Sequence, residues 1–296
     1  MGKKGLIVTN FTHTQEKFQQ QITAFVKAFE SLHMSLVPVT NEQALTIVTD
    51  KKKKYSFVLF YDKDIYLARQ FEAKGYRVYN SSSTILNCDD KAFTYLKMQE
   101  KKVPTPETVV LPYSMGEDIS PRINSILEMV RPLGLPFVLK ERVGSFGNQV
   151  YLIEDEEQLK LVLHSIGTRP LLAQRFVAES SGKDTRVFVV GKKIVAAANR
   201  TNETDFRSNV NQGGSIEACK KIPRKMKKLA LKASKCVHAD FCGIDIVKEG
   251  KEYYVLEINS NARTESIKGA TKKDPAIAIA KYIKKNLKKV SSGNEL

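Results

Sequence analysis

Residues 243–262 read GIDIVKEGKEYYVLEINSNA. Two runs rich in β-branched, aromatic and aliphatic residues flank a short charged connection that contains Gly250, the pattern of a β-hairpin. Each run nevertheless carries an acid, Asp245 and Glu257. An ionised carboxylate inside an apolar strand must be paired, hydrogen-bonded or bound to a metal. A three-residue connection, Glu249–Lys251, sets Asp245 across from Val255, and the period of two then puts Asp245, Glu257 and Asn259 on one face. An even connection would separate the two acids. On a common face they form, with the Asn259 amide, an all-oxygen set fit for Mg²⁺ or Mn²⁺ bridging phosphates; the competing reading is two acids ion-paired to Arg or Lys.

Outward from this hairpin the same texture repeats. LPFVLKERVGSFGNQVYLIED (135–155) and TRVFVVGKKIVAAANR (185–200) also read as strand pairs joined by Gly-containing connections, hence antiparallel sheet. Helices are expected near Ile119–Val130, Glu156–Ser165, Pro223–Val237 and Pro275–Lys288. The first hundred residues differ. KGLIVTN, SLVPVT, YSFVLFYD and YRVYN read as strands, with helices over Gln15–Leu32 and Ile65–Lys74, and this βαβ alternation predicts a parallel sheet covered by helices. TILNCDDKAFTYLKMQEKK then reads as one helix, stopped by VPTP at Val103–Pro106. The expected organisation is α/β: an N-terminal unit 1–103, a central one 104–183, a C-terminal one 184–290, and a disordered tail 291–296.

Three further segments offer chemistry. In LPFVLKER, alternation puts Phe137, Leu139 and Glu141 on one face and Val138, Lys140 and Arg142 on the other. A lysine inside an apolar strand, just before the glycine-rich RVGSFGN (142–148), suits a polyphosphate, whose oxygens close backbone amides and an ammonium can hold; the plain alternative is a flexible hairpin tip. LLAQRFVAESSGKDTRVFVV leads through Gln174, Arg175, Phe176 and Val177 into a strand starting with Asp184 and Arg186. FRSNVNQGGS gathers Arg207, Asn209, Asn211 and Gln212 ahead of two glycines. Either could be surface decoration; with a metal site they read as walls of one anionic-substrate cleft.

Composition bounds these readings. A chain of 296 residues, 42% hydrophobic, can bury a full core. Four cysteines without a CxxC pair and four histidines without HExxH spacing argue against thiolate zinc or a disulfide framework. The N-terminus lacks a signal-peptide pattern and no apolar run approaches a membrane span, so a soluble cytoplasmic protein without a membrane partner is expected. The net charge of +16 points to an anionic partner or to a solvated basic surface. KKIPRKMKKLALKASK places Met226, Leu229, Ala230, Ala233 and Val237 at helical spacing, an amphipathic helix with a basic exterior. No basic-aromatic stacking pattern or zinc-finger spacing accompanies it, which argues against specific nucleic-acid binding.

Six ordered motifs then carry a resemblance: DDKAFTYLKMQEKKVPTPET, VLKERVGSFGNQV, AQRFVAESSGKDTRVFVVGKKIVAA, DFRSNVNQGGS, CGIDIV and VLEINSN. From about Cys88 to Lys285 the chain resembles the ATP-grasp superfamily, and within it the RimK-type carboxylate-amine (alpha-L-glutamate) ligases. The resemblance implies an ATP-grasp fold behind an N-terminal pre-grasp domain. It implies ATP as co-substrate, with Lys91, Lys140 and the loop of Gly144, Ser145 and Gly147 at the phosphates, Arg175 and Phe176 on the hinge at adenine, and Asp184 near the ribose. Arg207 and Asn209 would reach phosphate and the reacting acyl group, with Arg186 a further candidate, and Asp245, Glu257 and Asn259 would hold two Mg²⁺ (or Mn²⁺) ions. The implied reaction phosphorylates a carboxylate, often of an amino acid such as glutamate, and passes the acyl group to an amine on a small molecule, peptide or acidic protein tail; such ligases often form homo-oligomers. A kinase that stops at phosphate transfer, and a non-catalytic nucleotide- or nucleic-acid-binding protein, are the alternatives. The chain departs from the family pattern at Gln212, where relatives often carry a basic residue, and at Asn261-Ala262-Arg263, where they often carry Pro-Gly.

Overall fold

A computed structural model describes residues 3–116, 118–145, 147–209 and 213–291. Asn211, Gln212 and residues 292–296 of the expected tail 291–296 therefore lie outside the described residues, whereas Ser291 ends the last helix. Three sheets organise the chain. Strands β1 (Lys4–Thr9), β2 (Ser35–Thr40), β3 (Phe57–Tyr61) and β4 (Val78–Tyr79) form a parallel sheet in the order β2-β1-β3-β4, linked by α1 (Glu16–Glu30), α2 (Asn41–Thr49) and α3 (Ile65–Ala73). All five residues of β3 are buried, which is why FVLFY has no polar alternation: helices cover the parallel sheet on both faces. The short α2 was not apparent in the sequence, although Thr40 and Gln43 form a reciprocal capping box at its start.

The expected single helix after β4 is two. α4 (Ser82–Asp89) ends at Asp90, whose side chain accepts hydrogen bonds from the amides of Ala92 and Phe93 and so caps α5 (Lys91–Glu100). A carboxylate offering itself to the next turn's orphan amides competes with helix continuation, and here it wins. The break makes Lys91 the first residue of α5.

The central sheet holds β5 (Thr108–Val110), β6 (Phe137–Glu141), β7 (Val150–Ile153) and β8 (Leu171–Arg175) in the order β5-β8-β6-β7, antiparallel throughout. It packs on α6 (Ile123–Val130) and α7 (Glu156–Ile166) around a core of its own that includes Phe137, Leu139, Leu159 and Leu163. The C-terminal sheet is also antiparallel: β9 (Lys183–Val190), β10 (Lys193–Thr201), β11 (Ser215–Ala218), β12 (Phe241–Glu249) and β13 (Glu252–Asn259) run in the order β11-β10-β9-β12-β13. α8 (Arg224–Cys236) lays Met226, Leu229, Ala230 and Ala233 on its back face, as the helical spacing predicts. α9 (Thr264–Thr271), absent from the sequence reading, and α10 (Pro275–Ser291) then return to the N-terminal unit. Ile279, Ile283 and Leu287 of α10 share one core with Phe25, Phe29 and Phe57 of the N-terminal unit and Phe188 of β9.

The opening hairpin keeps its acids together by a different route from the one expected. Glu249 pairs with Glu252, so the connection is two residues, Gly250 and Lys251, with Gly250 at a φ of +56° as a tight hairpin turn requires. That even turn alone would send Asp245 and Glu257 to opposite faces. The ladder shifts between Asp245 and Ile246: Ile246 pairs with Val255 while Asp245 pairs with Glu257, leaving Leu256 as the extra residue of a β-bulge. The bulge restores the parity. Val255 and Ile258 point into the core under α8, and Leu256, Glu257 and Asn259 face the opposite side.

Candidate active site

A cleft of about 370 Å³ lies where the central sheet faces the C-terminal sheet, with the ends of the N-terminal strands at one side. Its acid wall is a row of charges set by strand register. Arg200 of β10 lies opposite Asp184 of β9, Asp245 of β12 lies opposite Arg186 of β9, and Asp245 lies opposite Glu257 of β13. Directly opposed residues share a face, so ion pairs follow from the ladder itself. Arg186 grips Asp245 with Nε to Oδ1 at 2.7 Å and Nη2 to Oδ2 at 2.6 Å, while Arg200 holds Asp184 with two nitrogens and also reaches Asp245 Oδ2 at 2.9 Å. The Ser208 hydroxyl donates to Asp184 at 2.6 Å. Burial opposes the charge on Asp245, but the guanidinium groups of Arg186 and Arg200 outweigh it and hold the carboxyl below its usual range.

Of the two readings of the acids, the ion-paired one holds for Asp245. Asp245 is ion-paired, with Oδ1 accepting a single bond. Glu257 takes no hydrogen bond or ion pair among the described residues, and the buried Nδ2 of Asn259 has no partner among them either. Arg200 was missed by sequence reasoning; its signal was an arginine closing the apolar run KIVAAA, and it is only 4% exposed.

The opposite wall is cationic. Phe137 and Leu139 enter the central core while Val138 and Lys140 face the cleft, as alternation requires. Lys140 Nζ donates to Gln174 Oε1 of β8 at 2.7 Å. Burial lowers its pKa to about 8, with Lys91 adding to the effect and Glu257 and Asp245 opposing it. Lys91 reaches the Gly144 carbonyl at 3.4 Å, and its own amide donates to the Arg142 carbonyl at 2.9 Å. Arg142 is in turn ion-paired to Asp90, so the break between α4 and α5 is what fastens Lys91 to the root of the glycine loop. Gly147 has a φ of +78°, left-handed backbone that disfavours a side chain, and its carbonyl accepts a bond from Arg207 Nη1 at 2.7 Å. Asn209 lies against the same glycine.

The remaining expected residues are present, but several are already engaged. Arg175 binds Glu249 with both terminal nitrogens, at 2.8 and 2.9 Å, and so ties the end of the central sheet to the turn of the β12–β13 hairpin. Phe176 beside it lies edge-to-face on Phe206 and lines the cleft. The carboxylate of Asp184 is filled by Arg200 and Ser208, so the ribose contact expected of it would have to compete with them. Arg207 is held by Asp205 through Nε and Nη2. The N-terminal unit also lines the cleft, with Asn10, His13 and Asp62, which no local motif marked. His13 stacks on Phe18 at 4.0 Å, and burial lowers its pKa.

Among the described residues no helix is long and apolar enough to cross a membrane, and no group of three or more His, Cys, Asp or Glu could hold a metal by itself. The family model described as a RimK-like ATP-grasp domain matches residues 88–283. A probable alpha-L-glutamate ligase of Hahella chejuensis is 34% identical over 222 residues, 74% of this chain and 70% of that protein. The human N-acetylaspartylglutamate synthase A is 35% identical over 225 residues, 75% of this chain and 56% of that protein. In fold the chain is similar to the crystal structure of a RimK-domain ATP-grasp protein from Sphaerobacter thermophilus, with a TM-score of 0.73 at 20% identity, covering 94% of this chain and 98% of the other. With the parallel and antiparallel sheets arranged as that fold requires, the chain belongs to the RimK-like ATP-grasp family of ATP-dependent ligases.

Proposed function

We propose that this ligase joins the carboxylate of an amino acid, glutamate or one like it, to an amine through an acylphosphate formed in the cleft between the central and C-terminal sheets. The observation that carries the proposal is the meeting, in one cleft, of a lysine-and-glycine wall suited to phosphate with Glu257, which takes no hydrogen bond or ion pair among the described residues, and the Asn259 side chain beside it. Phosphoryl transfer needs position and neutralised charge more than a protein nucleophile. Lys91, Lys140 and the loop residues Gly144, Ser145 and Gly147 would hold the phosphates, and Phe176 would meet the base. Arg207, which now clamps Gly147, would offset charge on the transferred phosphoryl group, with Asn209 orienting the acyl group.

The donor set fits magnesium. Glu257, the free lone pair of Asp245 Oδ1 and the Asn259 amide are hard oxygen donors, and a site with two carboxylates suits an ion that completes its shell with phosphate oxygens and water. When bound, such ions would neutralise the phosphate oxygens; we propose two. Arg186 and Arg200 hold Asp245 charged and aimed for that role.

In the first step a substrate carboxylate oxygen bonds to the γ-phosphorus and the bond to the ADP oxygen breaks. In the second the amine bonds to the acyl carbon, inorganic phosphate leaves, and the amine's extra proton passes to solvent. The acceptor we propose is an amine on a small molecule, a peptide or an acidic protein tail, which the net charge of +16 would attract. The test is ADP release by the pure protein with Mg-ATP and pooled amino acids, followed by a mass search for product. Amino-acid-dependent ADP with a condensed amide is expected. ADP with a stable phosphorylated product would mean a kinase, and no turnover together with salt-sensitive oligonucleotide binding would mean a non-catalytic binder.

A further inference from the structure

The segment that follows the acid wall is pinned to the N-terminal unit at three points. Asn261 Nδ2 donates to the Asp62 carbonyl at 2.8 Å, the Tyr61 hydroxyl donates to the Ala262 carbonyl at 2.7 Å, and the Thr264 amide donates to Gln21 Oε1 at 2.8 Å. Bonds to residues 261, 262 and 264 fix the root of the side chain between them, Arg263.

Five arginines line the cleft: Arg175, Arg186, Arg200, Arg207 and Arg263. The first four each grip a carboxylate with two nitrogens, those of Glu249, Asp245, Asp184 and Asp205. Arg263 has no hydrogen bond or ion pair among the described residues, and its Nε is buried without a partner among them. Asn261 Oδ1, an acceptor two residues earlier, is in the same condition. A partly buried guanidinium left unpaired is costly, and its planar fork matches a carboxylate or a phosphate with two parallel hydrogen bonds; the idle amide oxygen of Asn261 beside it suits a molecule that also carries an N–H, as an amino acid does. The pinned backbone and the idle side chain together describe a preformed subsite with its partner supplied from outside.

We propose that Arg263 binds a substrate carboxylate that is not consumed in the reaction, and that Asn261 Oδ1 accepts an N–H of the same molecule. The substrate class is an amino acid, free or at the end of a peptide. This rests on the ligase reading, in which either the acid or the amine substrate could bring that carboxylate.

Initial rates of ADP formation by the full chain decide between those sources. Each substrate identified by the product search is offered with its non-reacting carboxylate free, or blocked as the primary amide. Blocking one of the two is expected to lower kcat/KM at least tenfold in the native protein, and that substrate is the one held by Arg263. Arg263→Gln is expected to lower kcat/KM for the free carboxylate to the level of the blocked one, through KM, with KM for ATP unchanged; Arg263→Lys recovers part. Because Arg263 has no internal partner among the described residues, neither variant should lower Tm. A native protein indifferent to blocking, or an Arg263→Gln variant as sensitive to it as the native protein, overturns the proposal. If the native protein forms no ADP with any amino acid, the ligase reading fails, and thermal shift with L-glutamate, L-glutamine and L-isoglutamine still decides the subsite. A Tm rise with glutamate that shrinks when one carboxylate is amidated and vanishes in Arg263→Gln supports it; the same rise in both proteins, or none in either, overturns it.

Discussion

Lys140 concentrates the electrostatic conflict of the cleft. Enclosure disfavours its ammonium, Lys91 repels it, and the acid wall attracts it, with the net result a pKa of about 8 against 10.5 in an exposed chain. The group is lowered on folding, so the unfolded chain holds the proton more tightly. Folding stability from this residue therefore rises with pH between about 8 and 10.5, and below that window the buried charge is a fixed cost. A bound polyphosphate reverses the preference by favouring the charged form. Two outcomes are expected: nucleotide binding takes up protons near pH 8, measurable by titration calorimetry in buffers of different ionisation enthalpy, and KM for ATP climbs as pH rises past 8. A flat KM from about pH 7 to about pH 10 would remove Lys140 from the phosphate site. Lys140 itself was legible, because a lysine breaking an apolar strand before a glycine loop is a local anomaly. Arg200 was not legible as the partner of Asp184 and Asp245, because a register across three strands is invisible in any short window.

At the scale of the element, the break between α4 and α5 is the device that brings Lys91 to the glycine loop. Asp90 caps α5 and binds Arg142 at the loop's root, through Nη2 at 2.5 Å. Asp90→Ala should cost about 1–2 kcal/mol in urea unfolding, the range of a lost cap and a semi-buried ion pair, and should also raise KM for ATP. Asp90→Asn keeps a capping oxygen and should recover most of the stability while ATP affinity stays weakened. Equal KM for ATP in the native and Ala forms would show that the cap positions nothing. Sequence reasoning saw one helix here because DDKAF has no Gly or Pro, and only the competition of a side-chain carboxylate with the helix ladder divides it. The parity of the β12–β13 hairpin was misread for a related reason. A bulge at Leu256 has no residue signature, so the acids reached a common face through an even turn and an extra residue instead of an odd turn. The alternating and wholly apolar strands, by contrast, were visible because burial on one face or two writes directly into the pattern.

At the scale of the whole molecule, two of the three sheets share a core. VPTP looked like a boundary, and the central sheet does own a separate core, but the N-terminal and C-terminal sheets share one, closed by α10. Ile283 is fully buried there. Ile283→Ala should cost about 2–5 kcal/mol and shift the unfolding of both outer sheets together, read by urea denaturation with hydrogen exchange on β1 and β9. Loss confined to the C-terminal sheet would contradict a common core. This arrangement sets the phosphate loop on one side of the cleft and the acid wall on the other. If the acid wall holds metal-bound phosphates, Glu257 is the residue whose loss should show it. Glu257 has no hydrogen bond or ion pair among the described residues, so Glu257→Gln removes a charge that attracts Lys140 without breaking a direct contact, unlike Asp245→Asn, which would strip two arginines. The measurement is amino-acid-dependent ADP release by Glu257→Gln beside its Tm. Release is expected to be abolished in a protein that still unfolds cooperatively near the native Tm; native-like release would overturn the role of the acid wall.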